Sequence, residues 1–196
     1  MIKQNEQPGA EADSWERLTS DIGGCRLCPL CEKRTNAVIG RGCRDGDILF
    51  IGEGPGENED LQGLPFVGRA GKLLDFALAG LMFPDDSYYI ANIVKCRPPG
   101  NRAPSDDEAA ICLPYLRRQT RLIAPKILVC LGAVAIRHII GCEHKITQIR
   151  GKWYDRKGLA ITSTFHPAAL LRDENKKSLM WQDLKEARRR LDEIRK

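Results

Sequence analysis

Polar side chains stand at the ends of three apolar segments in this sequence. Glu53 follows ILFIG, Asn92 lies near the end of YYIANIV, and His166 follows LAITSTF. A carboxylate, an amide and an imidazole can together orient a water molecule, hydrogen-bond a planar polar ligand and stabilise developing negative charge. Each also has a structural explanation, because a strand-end Asn can cap local backbone and a lone His is often a satisfied structural group.

These segments, together with a fourth, have the character of buried strands. Each is short, apolar or β-branched and bounded by turn residues, and they span residues 47–53, 88–94, 126–132 and 159–165. Helical patterns separate them, so the sequence predicts a parallel sheet covered on both faces. Ligands bind at the carboxyl ends of such strands, and we therefore expect the three polar side chains to converge on one pocket.

Four cysteines have a spacing that suits metal ligation. Cys25 and Cys28 form a C-x-x-C pair, and Cys96 and Cys112 lie far downstream with fifteen residues between them. A zinc ribbon would need a second C-x-x-C pair, yet four thiolates suit zinc or an iron–sulfur cluster equally well by their chemistry. Cys31 extends the first pair to C-x-x-C-x-x-C, which leaves the choice of ligands ambiguous.

The glycine-rich stretch GEGPGENED does not match the known phosphate-binding loops. The dinucleotide fingerprint G-x-G-x-x-G fails at Glu57, and a P-loop fails because Gly71-Lys72 is followed by Leu73. Several acids would also repel a phosphate. A tight turn explains the glycines, while Phe66 in the following loop is either a core residue or a platform for a base.

Composition and length indicate one domain without a membrane segment. The 196 residues carry a net charge of +5, which permits a polyanionic partner without requiring one. No apolar run approaches the ~20 residues of a membrane span, and we expect a cytoplasmic protein. Residues 1–13 are predicted to be a flexible tail and residues 14–196 a single domain. Helices are predicted at 15–22, 71–81, 105–124, 133–140 and 175–196, the third with a capping box formed by Ser105 and Glu108.

Three stretches resemble motifs of the family 4 uracil-DNA glycosylases. They are residues 52–60 with 63–71, residues 92–104, NIVKCRPPGNRAP, and residues 165–172, FHPAALLR. The resemblance covers about residues 25–190 and keeps the order of the motifs. It implies an α/β fold, a three-layer α/β/α sandwich on a central four-stranded parallel sheet. It also implies a [4Fe–4S] cluster of mainly structural role, held by Cys25, Cys28, Cys96 and Cys112.

The resemblance further implies hydrolysis of the N-glycosidic bond of deoxyuridine in DNA, the first step of base excision repair. Glu53 would orient the attacking water or balance a cationic sugar, and Asn101 would help to hold that water. His166 would stabilise the charge that develops on uracil O2. Related family 1 enzymes carry an Asp where this chain has Gly54. This difference leaves open which residue is the general base that activates the water.

Recognition of the base is assigned to a second group of residues. The Asn92 amide matches uracil O4 and N3–H, whereas cytosine presents the opposite polarity. Phe66 would stack on the uracil ring. Glu59 would line the pocket and, with Gly56, exclude the thymine methyl group, and Gly54 would let the backbone approach the flipped nucleotide.

Contacts to DNA are expected from the loops around the pocket. The candidates are Arg69, Lys72, Arg97, Arg102, Leu170 and Arg172. Leu170 or Leu171 could enter the gap left by the flipped base, and either could equally be the first core residue of a helix. The partner would be uracil-containing DNA, single- or double-stranded, bound by a monomer that a sliding clamp could recruit.

Two other functions remain open from the sequence. One is a catalytically silent iron–sulfur module that binds nucleic acid, and the other is a nucleotide-binding oxidoreductase. The intact Glu53, Phe66, Asn92 and His166 favour the glycosylase over the first, and the broken dinucleotide fingerprint disfavours the second. No lysine is placed at a strand end as a nucleophile, so we expect a monofunctional enzyme that leaves an abasic site.

Overall fold

A computed structural model describes residues 13–141 and 145–196, in which six strands form one mixed sheet. Its spatial order is β1-β3-β2-β4-β6-β5. The strands are β1 (Arg41–Gly42), β2 (Ile48–Gly52), β3 (Tyr88–Asn92), β4 (Ile127–Leu131), β5 (Tyr154–Arg156) and β6 (Leu159–Thr164).

The central four strands are parallel, which confirms the α/β fold predicted from the sequence. The two edge strands are antiparallel and were not predicted. They contain two and three residues, too few to show an alternating pattern in the sequence.

Nine helices and one 3₁₀ turn accompany the sheet within the described ranges. The helices are α1 (Trp15–Gly24), α2 (Leu30–Lys33), α3 (Glu57–Gln62), α4 (Arg69–Gly80), α5 (Asp106–Ile123), α6 (Ala133–Ile139), α7 (Ile146–Ile149), α8 (Pro167–Leu170) and α9 (Lys176–Ile194), and the 3₁₀ turn is Pro99–Asn101. All five predicted helices are present, with ends shifted by at most a few residues. The short α2, α3, α7 and α8 were missed because helices of four to six residues are too short to show a periodicity.

Alternate residues of β2 enter two different hydrophobic layers. Leu49 and Ile51 pack with buried residues of α5 and α6, whereas Ile48 and Phe50 pack with α4 and α9. All five residues of β2 are buried, which explains why its sequence is continuously apolar. The α/β/α layering therefore follows from one central strand that is covered on both sides.

Capping and ion pairs fix the ends of α5. The Oγ of Ser105 accepts from the Glu108 N–H at 3.2 Å, and Glu108 accepts from the Ser105 N–H at 2.8 Å. Arg102 donates two bonds to Glu108, which lowers the pKa of that carboxyl to about 2. Near the other end, Arg118 donates two bonds to Asp13, so the predicted tail is anchored at its last residue, while residues 1–12 lie outside the described part of the chain.

The structure contains no helix, within the described ranges, that is long and apolar enough to cross a membrane.

Candidate active site and cysteine cluster

A cavity of about 330 Å³ opens at the carboxyl edge of the parallel strands. All eight residues that the sequence assigns to catalysis or base binding line it, together with two of the predicted DNA-contacting arginines. They are Glu53, Gly54, Gly56, Glu59, Phe66, Asn92, Asn101 and His166, with Arg102 and Arg172. Parallel strand ends therefore gather side chains that are more than 110 positions apart in the chain.

Pairing between β2 and β3 places two of the motifs side by side. Gly52 is the register partner of Asn92 at the end of the two strands. A Cβ on Gly52 would lie 2.4 Å from the Asn92 Oδ1 and 2.6 Å from the Phe66 Cζ. Glycine is needed at position 52 because any side chain there would overlap with Asn92 and Phe66.

Asn92 is buried at 2% exposure and lines the cavity. Its Oδ1 has no hydrogen-bond partner among the described residues. A buried acceptor without a partner costs about 1–3 kcal/mol, and such groups are rare in folded proteins. A ligand that presents an N–H to this oxygen would recover that energy.

The His166 ring is fixed by the short helix that follows it. Its Nδ1 accepts from the Ala168 N–H at 3.2 Å, so Nε2 carries the proton of the neutral ring. Burial, reinforced by the nearby Arg172 charge, lowers the pKa of His166 to about 4. The cavity therefore contains a neutral imidazole that serves as a hydrogen-bond donor at neutral pH.

Phe66 is held in an uncommon backbone conformation beside this imidazole. Its φ is 55°, its side chain is 5% exposed, and its ring centroid lies 5.5 Å from that of His166. Arg41 donates to the carbonyls of Pro65 (2.9 Å) and Phe66 (3.4 Å) and forms an ion pair with Asp75. Phe66 is thus both a packed residue and part of the cavity wall, so the two interpretations made from the sequence are compatible.

Glu59 binds the backbone of both glycine-rich loops. Its Oε1 accepts from the N–H groups of Val67 (2.9 Å) and Gly68 (2.7 Å), and its Oε2 accepts from that of Gly56 (3.1 Å). The carboxylate joins the loop before α3 to the loop before α4. This arrangement supports a structural role that the sequence did not suggest.

The neighbouring acids of α3 have separate structural partners. Asp60 is 3% exposed and accepts from the N–H groups of Thr35 and Asn36 at 2.9–3.3 Å. Glu57, Glu59 and Asp60 all lie in the first turn of α3, where the helix dipole favours negative charge. The acids that follow the glycine-rich stretch are therefore explained largely by the start of this helix.

Glu53 is the carboxylate of the cavity that remains free for chemistry. Burial raises its pKa above the ordinary value, and the positive charge of Arg172 opposes that rise. No hydrogen bond or ion pair to its side chain occurs in the described part of the chain. Its neighbour in the cavity, Asn101, accepts from Arg97 at 2.8 Å, and Arg97 also contacts Glu57 at 3.6 Å.

The remaining predicted DNA contacts fall into two groups. Arg69 and Lys72 are exposed on α4 outside the cavity lining. Leu170 is 3% exposed in the core, whereas Leu171 is 42% exposed. Leu170 therefore has the packing role that the sequence left open for either leucine, and Leu171 is the exposed residue of the two.

A second site gathers five cysteines beside the segment that follows β3. Its lining includes Arg34, Lys95 and Cys31 together with the four predicted ligands, Cys25, Cys28, Cys96 and Cys112. The Arg34 Nη1 donates to the Cys96 Sγ at 3.1 Å, and the Lys95 N–H donates to the Cys112 Sγ at 3.3 Å. Neither donor was singled out from the sequence, since no local pattern marks them.

The chemistry of this site fits a metal cluster. Burial raises the pKa of the Cys112 thiol to about 11, so its thiolate needs nearby positive charge. Several cysteines in one site are the donors that an iron–sulfur cluster uses, and zinc accepts the same thiolates.

Comparison with known proteins agrees with this geometry. The model of the uracil DNA glycosylase superfamily matches residues 39–185. A type-4 uracil-DNA glycosylase of Sulfurisphaera tokodaii is 43% identical over 185 residues, covering 90% of this chain and 84% of that protein. One of Thermotoga maritima is 41% identical over 177 residues, covering 88% and 92%. The chain therefore belongs to the uracil DNA glycosylase superfamily and, within it, to the type-4 uracil-DNA glycosylases.

Proposed function

We propose that the protein removes uracil from DNA by hydrolysing the N-glycosidic bond of deoxyuridine, which leaves an abasic site and begins base excision repair. The observation that carries this proposal is the buried Asn92 Oδ1, which lines the cavity and has no partner among the described residues. The N3–H of uracil is a donor that suits this acceptor, and the Asn92 amide N–H suits uracil O4.

Selectivity against cytosine follows from the same amide. Cytosine carries an acceptor at N3 and a donor at N4, so acceptor would face acceptor and donor would face donor. Sites built around such bonds reject the wrong partner steeply, because buried polar groups are then left unpaired. Phe66 would stack on the extruded ring, which can enter only after it has left the base stack.

The reaction breaks the C1′–N1 bond and forms a bond from C1′ to a water oxygen. The bonding pair leaves with uracil, whose O2 becomes more negative, and the His166 Nε2–H donates to that oxygen. The sugar becomes cation-like, and the Glu53 carboxylate stabilises it and orients the water. A proton from the water finally neutralises the uracil anion.

The cofactor of this proposal is a [4Fe–4S] cluster bound by Cys25, Cys28, Cys96 and Cys112. Bound there, it would supply a covalent anchor between the N-terminal segment and the chain after β3. The five-thiol site and its two N–H···S bonds support this assignment. Purified protein should contain about four irons and about four labile sulfides per chain, and stoichiometric zinc with no iron would contradict it.

The cations around the cavity mouth would bind phosphates. Arg172 and Arg102 line the cavity, while Arg69 and Lys72 extend the positive surface along α4. Leu171 would fill the gap in the duplex. We propose that the protein acts as a monomer on single- and double-stranded DNA, and that a sliding clamp is a partner that could recruit it.

Oligonucleotides with a single deoxyuridine test the activity. Single- and double-stranded forms are incubated with cluster-loaded protein and then treated with alkali, which cleaves abasic sites. We expect cleavage at the uracil position, a loss of about 10²–10³-fold in rate in His166→Ala, and no change in the control His138→Ala on α6. Absence of cleavage by the unmodified protein would favour the silent nucleic-acid-binding module, and full activity of His166→Ala would refute its role.

A further inference from the structure

Lys95 is a buried cation that the proposed reaction does not use. Its side chain is 1% exposed, although lysines are rarely buried without a charged partner. The Nζ donates to the Asn92 carbonyl at 2.8 Å and to the Gln119 Oε1 at 2.6 Å. Both acceptors are neutral, and the described residues place no carboxylate within ion-pair distance of Nζ.

Lys95 also contacts the cysteine site through its main chain. Cys96 is the next residue, and the Lys95 main-chain N–H donates to the Cys112 Sγ at 3.3 Å. Lys95, Cys96 and Cys112 all line this site. The residue therefore contacts the cysteine site with its backbone and Asn92 with its side chain.

The other end of Lys95 supports the wall of the active-site cavity. Its Nζ bonds the carbonyl of Asn92, the last residue of β3. From there the chain continues alongside β2, since the Ile93 N–H donates to the Gly52 carbonyl at 3.0 Å and the Val94 N–H to the Glu53 carbonyl at 3.2 Å. The segment that Lys95 holds thus carries Asn92 and lies against Glu53.

Gln119 completes the support from α5. Its Oε1 accepts from Lys95, and its Nε2 donates to the Ile39 carbonyl at 2.8 Å. Gln119 is fully buried, so its side-chain amide is held on both sides. The ammonium is therefore attached to a fixed point rather than to a mobile side chain.

We propose that Lys95 is a positioning residue that joins the cysteine site to Asn92 and thereby sets the selectivity of the cavity for uracil. This proposal rests on the proposed function for its activity readout. In the same way, the Lys95 ammonium holds the backbone at Ile93 and Val94 in place.

The test compares Lys95→Met, which keeps the length of the side chain but removes its donors, with Lys185→Met, an exposed control on α9. We expect unchanged iron content and unchanged affinity for DNA with an abasic site. The ratio of the single-turnover excision rates for uracil and cytosine should fall about tenfold, which corresponds to the loss of one hydrogen bond. Hydrogen exchange at the Ile93 and Val94 amides should become faster, while exchange in β4 should not change.

Unchanged selectivity and unchanged exchange at these two amides would overturn the proposal. If Lys95→Met loses its iron, Gln119→Leu decides, because it keeps the ammonium and removes one acceptor. Loss of selectivity and faster exchange in iron-replete Gln119→Leu would support the proposal, and wild-type behaviour would overturn it. Failure of the unmodified protein to excise uracil would refute the proposed function, whereas the exchange measurement would still report on Lys95.

Discussion

Replacing Glu59 by Gln should loosen the loops that form the cavity. The carboxylate accepts three main-chain bonds, from Gly56, Val67 and Gly68. A glutamine can keep two of them on its carbonyl oxygen, but its NH₂ group would face the third N–H. Losing one bond to a charged group costs about 1.5–3 kcal/mol, and weakening the other two to neutral bonds adds roughly 1 kcal/mol each. We therefore expect the two loops to be less stable by about 3.5–5 kcal/mol.

Amide hydrogen exchange measures this loss where it occurs. At about 1.4 kcal/mol per factor of ten, protection of the Gly56, Val67 and Gly68 amides should fall on the order of 10²–10³-fold, up to the limit set by global unfolding. Glu57→Gln is the matched control, since it removes the same charge from the same helix but only an exposed contact to Arg97, worth about 0–1 kcal/mol. Equal protection in the two variants would refute the role of Glu59 as a link between the loops.

Three further results are expected. Leu170→Ala should lower the free energy of unfolding by about 2–5 kcal/mol because it opens a cavity in the core, which thermal denaturation measures. Leu171→Ala should leave stability within about 0.5 kcal/mol but slow excision from duplex more than from single-stranded DNA, and the reverse order would contradict its placement as the exposed wedge. Arg172→Gln should move the acid limb of kcat/KM to higher pH. Burial raises the pKa of Glu53 and the charge of Arg172 opposes that rise, whereas burial and Arg172 both lower the pKa of His166. Without the arginine both pKa values rise, so Glu53 is neutralised and His166 is protonated at a higher pH; a limb that stays in place or moves down would refute this.

Local sequence signals determined most of the scaffold. Continuous apolar runs predicted the four parallel strands, because a central strand packed on both faces, as β2 is, has no polar side to reveal. The capping box of Ser105 and Glu108 predicted the start of α5, since its bonds form between residues three positions apart. The convergence of Glu53, Asn92 and His166 followed from a general rule about strand ends, which does not depend on side-chain packing.

Side-chain partners that lie far apart in the chain were decided only by the tertiary structure. Glu59 could be placed near the pocket from the sequence, but its three main-chain bonds depend on two loops meeting. The difference between Leu170 and Leu171 depends on the direction in which one short helix packs, and adjacent leucines carry no signal for it. Lys95 bonds Gln119, 24 positions away, through a buried contact that no local pattern encodes. The sequence by itself determined which residues reach the cavity, because strand ends and motifs are local features. Folding decided which of these residues position the others, because hydrogen bonds and burial depend on neighbours that only the complete fold brings together.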